Sequence, residues 1–216
     1  MKVRFQEFDP DSFSFEQDPV LVLEEFWTPK ELAFFQEAMK RPKWKELKQM
    51  PDVSRSFPKC GNWVKAEIAA AESEAFGDRI ALSCIYKYID SVPNIKRRHL
   101  AFSYYSYAVG DCLSMLTDLD EGYSSDRQPL PAIRRLALAT YLHSEWHPDW
   151  GGELILYETR EEQQGMKVFE ATHCLAPQPG TLVLFTVPRY HRVCRVDRLA
   201  GSHKRLSIAG WFMTEH

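Results

Sequence analysis

The stretch Pro177–Val193, PQPGTLVLFTVPRYHRV, carries a short apolar run from Leu182 to Phe185 that has the length and composition of a buried strand. Four more such segments share the second half of the chain. They are HLAFSYYSYAVGD (99–111), which alternates; LALATYL (136–142), continuously apolar; GGELILY (151–157), opening on a glycine pair; and RLSIAGWF (205–212). The glycine pair Gly151-Gly152 marks a backbone need at the strand start, a bend or bulge. Helical patterns come first and many short strands follow, which predicts an antiparallel sheet system with helices packed on one side. Internal repeats and low-complexity tracts are absent from the sequence.

Working outward, Val20-Leu21-Val22-Leu23 reads as another buried strand that empties into a helix start. There Thr28 can cap, Pro29 suits the first helical position, and Glu31 sits where a capping box places its carboxylate. Leu32, Phe35 and Met39 recur on one face, and Pro42 stops the element. The segment from Lys43 to Val64, with Pro51 and Pro58, reads as loop bordering a substrate entrance. A second helix is expected after Gly77, with Asp78 as its cap, a stripe of Ala81, Cys84, Ile85, Tyr88 and Ile89, and Pro93 beyond its end.

The chain's 216 residues suit a single domain, 1–216, with helical support over about 1–98 and a barrel over about 99–216. A hydrophobic fraction of 44% and a mean hydropathy of −0.38 describe a soluble globular protein, with no membrane role expected. A formal charge of −3 gives no electrostatic footprint for nucleic acid, and Lys96-Arg97-Arg98 reads as the solvated lead into a strand. The five cysteines are scattered without a C-x-x-C, which fits a reducing, cytoplasmic setting and no structural zinc. The first residues, MKVRFQE, carry no apolar core of a secretory signal. Phosphate-loop, dinucleotide and nucleophile-elbow signatures are missing.

Four segments in order, YAVGD (107–111), RRLALATYLHSEWHPDWGGELILY (134–157), PQPGTLVLFTVPRYHRV and HKRLSIAGWF (203–212), carry a likeness to a known family. From about Tyr104 to Phe212 the chain resembles the iron(II)- and 2-oxoglutarate-dependent oxygenases, in particular their prolyl-hydroxylase-like branch. The fold this implies is mainly β with flanking α, a double-stranded β-helix or jelly-roll barrel with N-terminal helices on one side. The implied cofactor is Fe(II), with 2-oxoglutarate and dioxygen as co-substrates and a peptide, protein or amino-acid-derived molecule hydroxylated at an unactivated C–H.

The family holds its metal with H-x-D on one strand and a later histidine, and its keto acid with an arginine. Asp118 matches the carboxylate, His191 the distal histidine, and Arg205, fourteen residues on, the arginine, whose planar fork pairs a carboxylate through two bonds. Ser207 completes R-x-S, and Tyr107 stands among three tyrosines of which the resemblance implies one to hydrogen-bond the keto acid or substrate, the other reading being ordinary barrel core and rim; Tyr105 shares its face and Tyr104 points the other way. The bland reading of Arg205 is an ion pair with Asp197 or another acid.

The first histidine of H-x-D is absent: SMLTDLD (114–120) puts Leu116 there, a residue without a lone pair. None of the seven histidines lies between Leu100 and Leu142. Three outcomes stay open. Asp118 and His191 hold iron with the keto acid alone; Asp120 joins them to make a site of harder ligands; or the site is metal-free and the barrel is a catalytically silent binding or interaction protein. His143 reads as a hydrogen-bonding group facing the pocket or a strand, and His147 as solvent-facing, each a minor candidate for replacement ligand.

Overall fold

The computed structural model describes residues 2–3, 20–41, 43–81, 83–118, 132–161 and 166–215. Among these residues the strands are β1 (Lys2–Val3), β2 (Val20–Glu24), β3 (Lys45–Glu46), β4 (Val64–Glu67), β5 (Ile95–Tyr107), β6 (Leu113–Leu116), β7 (Ala132–Tyr141), β8 (Leu154–Glu161), β9 (Lys167–Leu175), β10 (Leu182–Thr186), β11 (His191–Val193) and β12 (Arg205–Glu215). The α-helices among these residues are α1 (Pro29–Ala38), α2 (Pro51–Ser56), α3 (Ala70–Ile80) and α4 (Ser83–Asp90). None is long and apolar enough to cross a membrane.

Two antiparallel sheets face each other. The larger runs β1-β2-β10-β7-β12-β5-β4-β3 and the smaller β6-β11-β8-β9. This is the double-stranded β-helix expected from the sequence, with modest flanking helices. Strands β2 and β4 lie within the larger sheet, so the part of the chain before residue 99 supplies barrel strands as well as helical support.

The continuous apolar runs follow from burial on both sheet faces. Along β10, Leu182 and Leu184 point toward the helices, where they meet Phe35, Phe76, Ile85 and Tyr88; Val183 and Phe185 point toward the smaller sheet, against Leu154 and Leu156. Strand β7 divides in the same way, Leu136 and Leu138 to one side and Ala137 and Tyr141 to the other. Two cores therefore share one sheet, and the site lies where the inner core gives way to polar side chains.

Helix α1 begins as the sequence predicts. Thr28 N–H donates to Glu31 Oε2 at 2.8 Å, and Glu31 N–H donates back to Thr28 Oγ1 at 3.3 Å. Phe35 and Met39 are buried and Leu32 packs against the same cluster; Pro42 lies outside the described residues. The Asp78 cap is a correction. Asp78 lies inside α3, which starts at Ala70 with the Glu72 carboxylate accepting from Ala69 N–H at 2.9 Å. The apolar stripe of Ile85, Tyr88 and Ile89 belongs to the separate helix α4. Two short helices in succession share one core-facing pattern, and a cap residue next to glycine obscured the break. The side chain of Cys84 and those of Lys96, Arg97 and Arg98 lie outside the description.

Between Lys43 and Val64 the chain holds β3, a 3-10 turn at Leu47–Gln49 and α2, more order than a loop reading allows. Strand β9 escaped the sequence reading because its mostly exposed residues lack an apolar run.

A candidate metal and keto-acid site between the two sheets

A cavity of about 750 Å³ opens between the sheets. Strand β12 supplies its longest wall. Arg205, Ser207, Ala209 and Trp211, two residues apart, face into it, while Ile208 and Phe212 face the helix-side core. Tyr105 and Tyr107 of β5 line the same space and Tyr104 points into the helix-side core, as their alternation predicts. The smaller sheet contributes Leu113, Leu116, Leu154, His191 and Val193, and residues Met50 to Phe57 on and around α2 form the rim, which places the expected entrance segment at the cavity mouth.

Asp118 and His191 converge. Asp118 Oδ2 stands 3.3 Å from His191 Nε2, with both side chains buried. The two do not meet through the same-strand rule. Strand β6 ends at Leu116, and Asp118 lies beyond it with φ +56°, a left-handed conformation that aspartate tolerates. The sequence expectation of Leu116 and Asp118 side by side on a strand is corrected accordingly. A register shift between β6 and β11 puts Leu113 opposite Val193 and Leu116 opposite His191, and such bulges re-aim side chains near sites.

His191 Nδ1 donates to the Arg189 carbonyl at 2.8 Å, so Nε2 is the nitrogen that faces Asp118: protonated it donates to the carboxylate, and without that proton it offers a lone pair to a metal. Trp211 Nε1–H donates to Asp118 Oδ2 at 2.7 Å, and the Arg134 guanidinium lies 4.0 Å above the Trp211 ring. Burial opposes ionisation of Asp118, yet the His191 bond and charge, the Trp211 indole and Arg134 outweigh it and hold the carboxyl below its ordinary range. Burial, then the Asp118 charge, pushes the Tyr105 phenol up to about 12, so it stays protonated. Trp211 is a site residue that sequence reasoning missed; its alternation with Arg205 and Ser207 was the available signal.

Arg205 is buried, with its guanidinium over the rings of Tyr141 at 4.8 Å and Tyr107 at 5.5 Å. Its Nε–H donates to the Gly152 carbonyl at 2.8 Å. No acid pairs with it among the described residues, and Asp197 instead accepts from Leu199 N–H at 2.9 Å, so the ion-pair reading fails. A Cβ on Gly152 would stand 3.0 Å from Arg205 Cδ, which explains the second glycine of the pair by close approach.

The two histidines weighed as replacement ligands are engaged elsewhere. His143 Nε2 lies 2.6 Å from the Pro177 carbonyl and its Nδ1 accepts from Leu206 N–H at 3.2 Å, so both nitrogens are used within the fold. Burial holds it neutral, with a pKa lowered to about 4. His147 is exposed and its Nδ1 accepts from Asp149 N–H at 3.2 Å. Neither serves as a replacement ligand, and Asp120 lies outside the described residues.

The donor set suits a cation. Two ligand atoms each about 2.1 Å from a metal and at right angles stand about 3 Å apart, close to the separation of Asp118 and His191. No third His, Cys, Asp or Glu completes a cluster among the described residues. The residues present thus fit a metal held by two protein donors.

Comparison with known proteins agrees with this architecture. The family model described as the 2OG-Fe(II) oxygenase superfamily matches residues 102–213. The mouse prolyl 3-hydroxylase OGFOD1 is 40% identical over 81 residues, which are 37% of this chain and 14% of that protein, so the match spans a small part of the relative's length. Among solved structures, a Pseudomonas putida prolyl-4-hydroxylase superposes with a TM-score of 0.60 at 17% identity, over 94% of this chain and 96% of that one. HygX from Streptomyces hygroscopicus, with nickel, 2-oxoglutarate and hygromycin B bound, gives 0.59 at 13% identity over 93% and 84%. A Trichoplax adhaerens prolyl hydroxylase in complex with a hypoxia inducible factor oxygen degradation domain peptide gives 0.58 at 14% over 93% and 86%. With its barrel matched over more than half its length, the chain belongs to the 2OG-Fe(II) oxygenase superfamily.

Proposed function

We propose that this protein is a 2-oxoglutarate-dependent hydroxylase acting on a peptide or protein side chain, prolyl in the first instance, through a metal site of two protein ligands. The observation that carries the reading is the meeting of Asp118, His191 and Arg205 in one cavity of a family barrel. An iron(II) centre, when bound, supplies oxidative decarboxylation of 2-oxoglutarate to succinate and carbon dioxide, and hydroxylation of an unactivated C–H.

The chain's own residues bind and orient. Asp118 contributes the anionic donor; His191 contributes Nε2, its Nδ1–H being held by the Arg189 carbonyl. Arg205, its Nε held by Gly152, offers its outer guanidinium edge to the far carboxylate of the keto acid, with the Ser207 hydroxyl two residues along the same face. Tyr107 stands beside that carboxylate's berth, and the apolar walls of Leu154, Phe185 and Val193 exclude water. The likeness to a prolyl 3-hydroxylase, and to a prolyl hydroxylase solved with a peptide fragment, supports a peptide substrate, as does a cavity open at the α2 rim.

The test is succinate formation from 2-oxoglutarate with iron(II) and ascorbate, with and without proline-containing peptides, beside an Arg205→Ala control. Peptide-stimulated succinate that vanishes in the control supports the reading. Leu116 favours a second reading, a barrel that binds without oxidising; keto-acid binding with no succinate under any peptide would establish that one instead.

A further inference from the structure

Asp118 reaches the site from a position that its own strand does not control. Strand β6 ends at Leu116, the ladder partner of His191, and the chain is tied once more where Arg189 N–H donates to the Thr117 carbonyl at 3.3 Å. Asp118 follows with φ +56°, beyond the ladder. The terminal torsion of an aspartate is broad, so neither strand pairing nor rotamer preference sets the plane of its carboxylate. A metal donor needs that plane set, because a lone pair aimed elsewhere binds nothing.

Trp211 reaches that carboxylate from the opposite sheet. It lies on β12, paired with Ala101 of β5 on one side and Ala137 of β7 on the other, so its backbone is held from both edges. The register shift after Phe212 sets Arg134 of β7 opposite Met213, and the Arg134 guanidinium covers the Trp211 ring at 4.0 Å. From this mounting Nε1–H donates to Asp118 Oδ2 at 2.7 Å, and the same oxygen stands 3.3 Å from His191 Nε2. A carboxylate oxygen carries two lone pairs. With one accepting from the indole, the other is left for the space that Oδ2 shares with His191 Nε2.

We infer that Trp211 is a positioning residue for the metal: its indole N–H orients the Asp118 carboxylate so that Oδ2 and His191 Nε2 act together on one cation. This rests on the metal site of the proposed function, but the binding itself needs neither oxygen nor turnover. A site of two protein donors depends on the orientation of each more than a site of three. Outer hydrogen bonds of this kind carry about tenfold to a hundredfold in metal affinity.

The experiment titrates manganese(II) into the protein with saturating 2-oxoglutarate and reads the paramagnetic resonance signal of the free ion. Three proteins are compared: the parent, Trp211→Phe, and the chain with benzothienylalanine at position 211, a tryptophan analogue that keeps the ring size and replaces only the N–H by sulfur. The expected result is a manganese dissociation constant raised about tenfold or more in both altered proteins, with the analogue protein melting at the parent's temperature. In the metal-free parent the indole N–H resonance of Trp211, assigned by its loss in Trp211→Phe, should move in Asp118→Ala. Unchanged manganese affinity in the analogue protein, a weakening there that is matched by a fall in melting temperature, an indole resonance indifferent to Asp118→Ala, or no manganese uptake by the parent each overturns the inference. Succinate assays on the same proteins separate it from the hydroxylase reading. Metal binding that depends on the Trp211 N–H, without succinate under any peptide, keeps the positioning role and removes the catalysis; succinate formed alike by parent and analogue at limiting metal keeps the catalysis and removes the role.

Discussion

Leu116 and His191 are direct cross-strand neighbours in the β6–β11 pair, and both line the cavity in which His191 Nε2 meets Asp118. Side chains opposed in this way have Cβ atoms about 5 Å apart on one sheet face. Under the proposed reading, position 116 faces the metal site from the strand opposite His191, and its leucine side chain supplies only apolar volume there.

Arg205 is the residue whose loss should act on the co-substrate alone. Arg205→Lys keeps the charge but loses the planar fork and the Nε bond to Gly152, and the expected effect is a 2-oxoglutarate dissociation constant raised about tenfold to a hundredfold. Calorimetric titration of 2-oxoglutarate checks it; an unchanged constant places the keto acid elsewhere.

The glycine pair gives two separable effects. Gly151 has φ +68° and ψ −148°, a region open essentially to glycine, and a Cβ there would stand 2.3 Å from the Arg195 carbonyl oxygen. Gly151→Ala should lower stability by roughly 2–4 kcal/mol in denaturant unfolding. Gly152→Ala adds to strain at φ +75° a push on Arg205, so it should also weaken 2-oxoglutarate binding. Equal keto-acid affinity in folded Gly152→Ala and the parent would deny that coupling.

His143 makes stability pH-dependent with a definite sign. Its folded pKa of about 4 lies below the ordinary 6.5, so between these values the unfolded chain takes up a proton that the native state refuses. Stability is then full above about pH 6.5 and falls as the solution is acidified, by on the order of 3 kcal/mol once pH 4 is reached. His143→Gln preserves a donor toward Pro177 and an acceptor toward Leu206 without the titration. Melting temperatures taken from pH 7 to 4.5 should fall less steeply in this variant; parallel slopes would remove His143 from the account.

Much of this was legible in the sequence, for reasons that differ by element. The apolar runs at Leu136–Leu142 and Leu182–Phe185 announce strands buried on both faces, and Thr28-Pro29-x-Glu31 announces a helix start, because each is a local rule obeyed locally. Asp118, His191 and Arg205 were found through family spacing and meet in one cavity, although Asp118 reaches it from a left-handed position past the strand end. Arg134 and Trp211 were not found, since they come together only through the pairing of β7 with β12, segments far apart in the chain. The division of residues 70–90 into two helices was also hidden, because a continuous apolar stripe says nothing of a break in the backbone.

The most direct measurement is an anaerobic iron(II) titration with 2-oxoglutarate present, read by metal stoichiometry and by the absorption of the metal–keto-acid complex, on the parent protein, Leu116→His and Asp118→Ala. The account predicts near-unit binding by the parent, tighter binding by Leu116→His because the cross-strand position gains a donor, and loss of binding in Asp118→Ala. Binding by Leu116→His alone, with the parent taking up no metal at saturating 2-oxoglutarate, would contradict it and leave this chain a family barrel whose work is recognition.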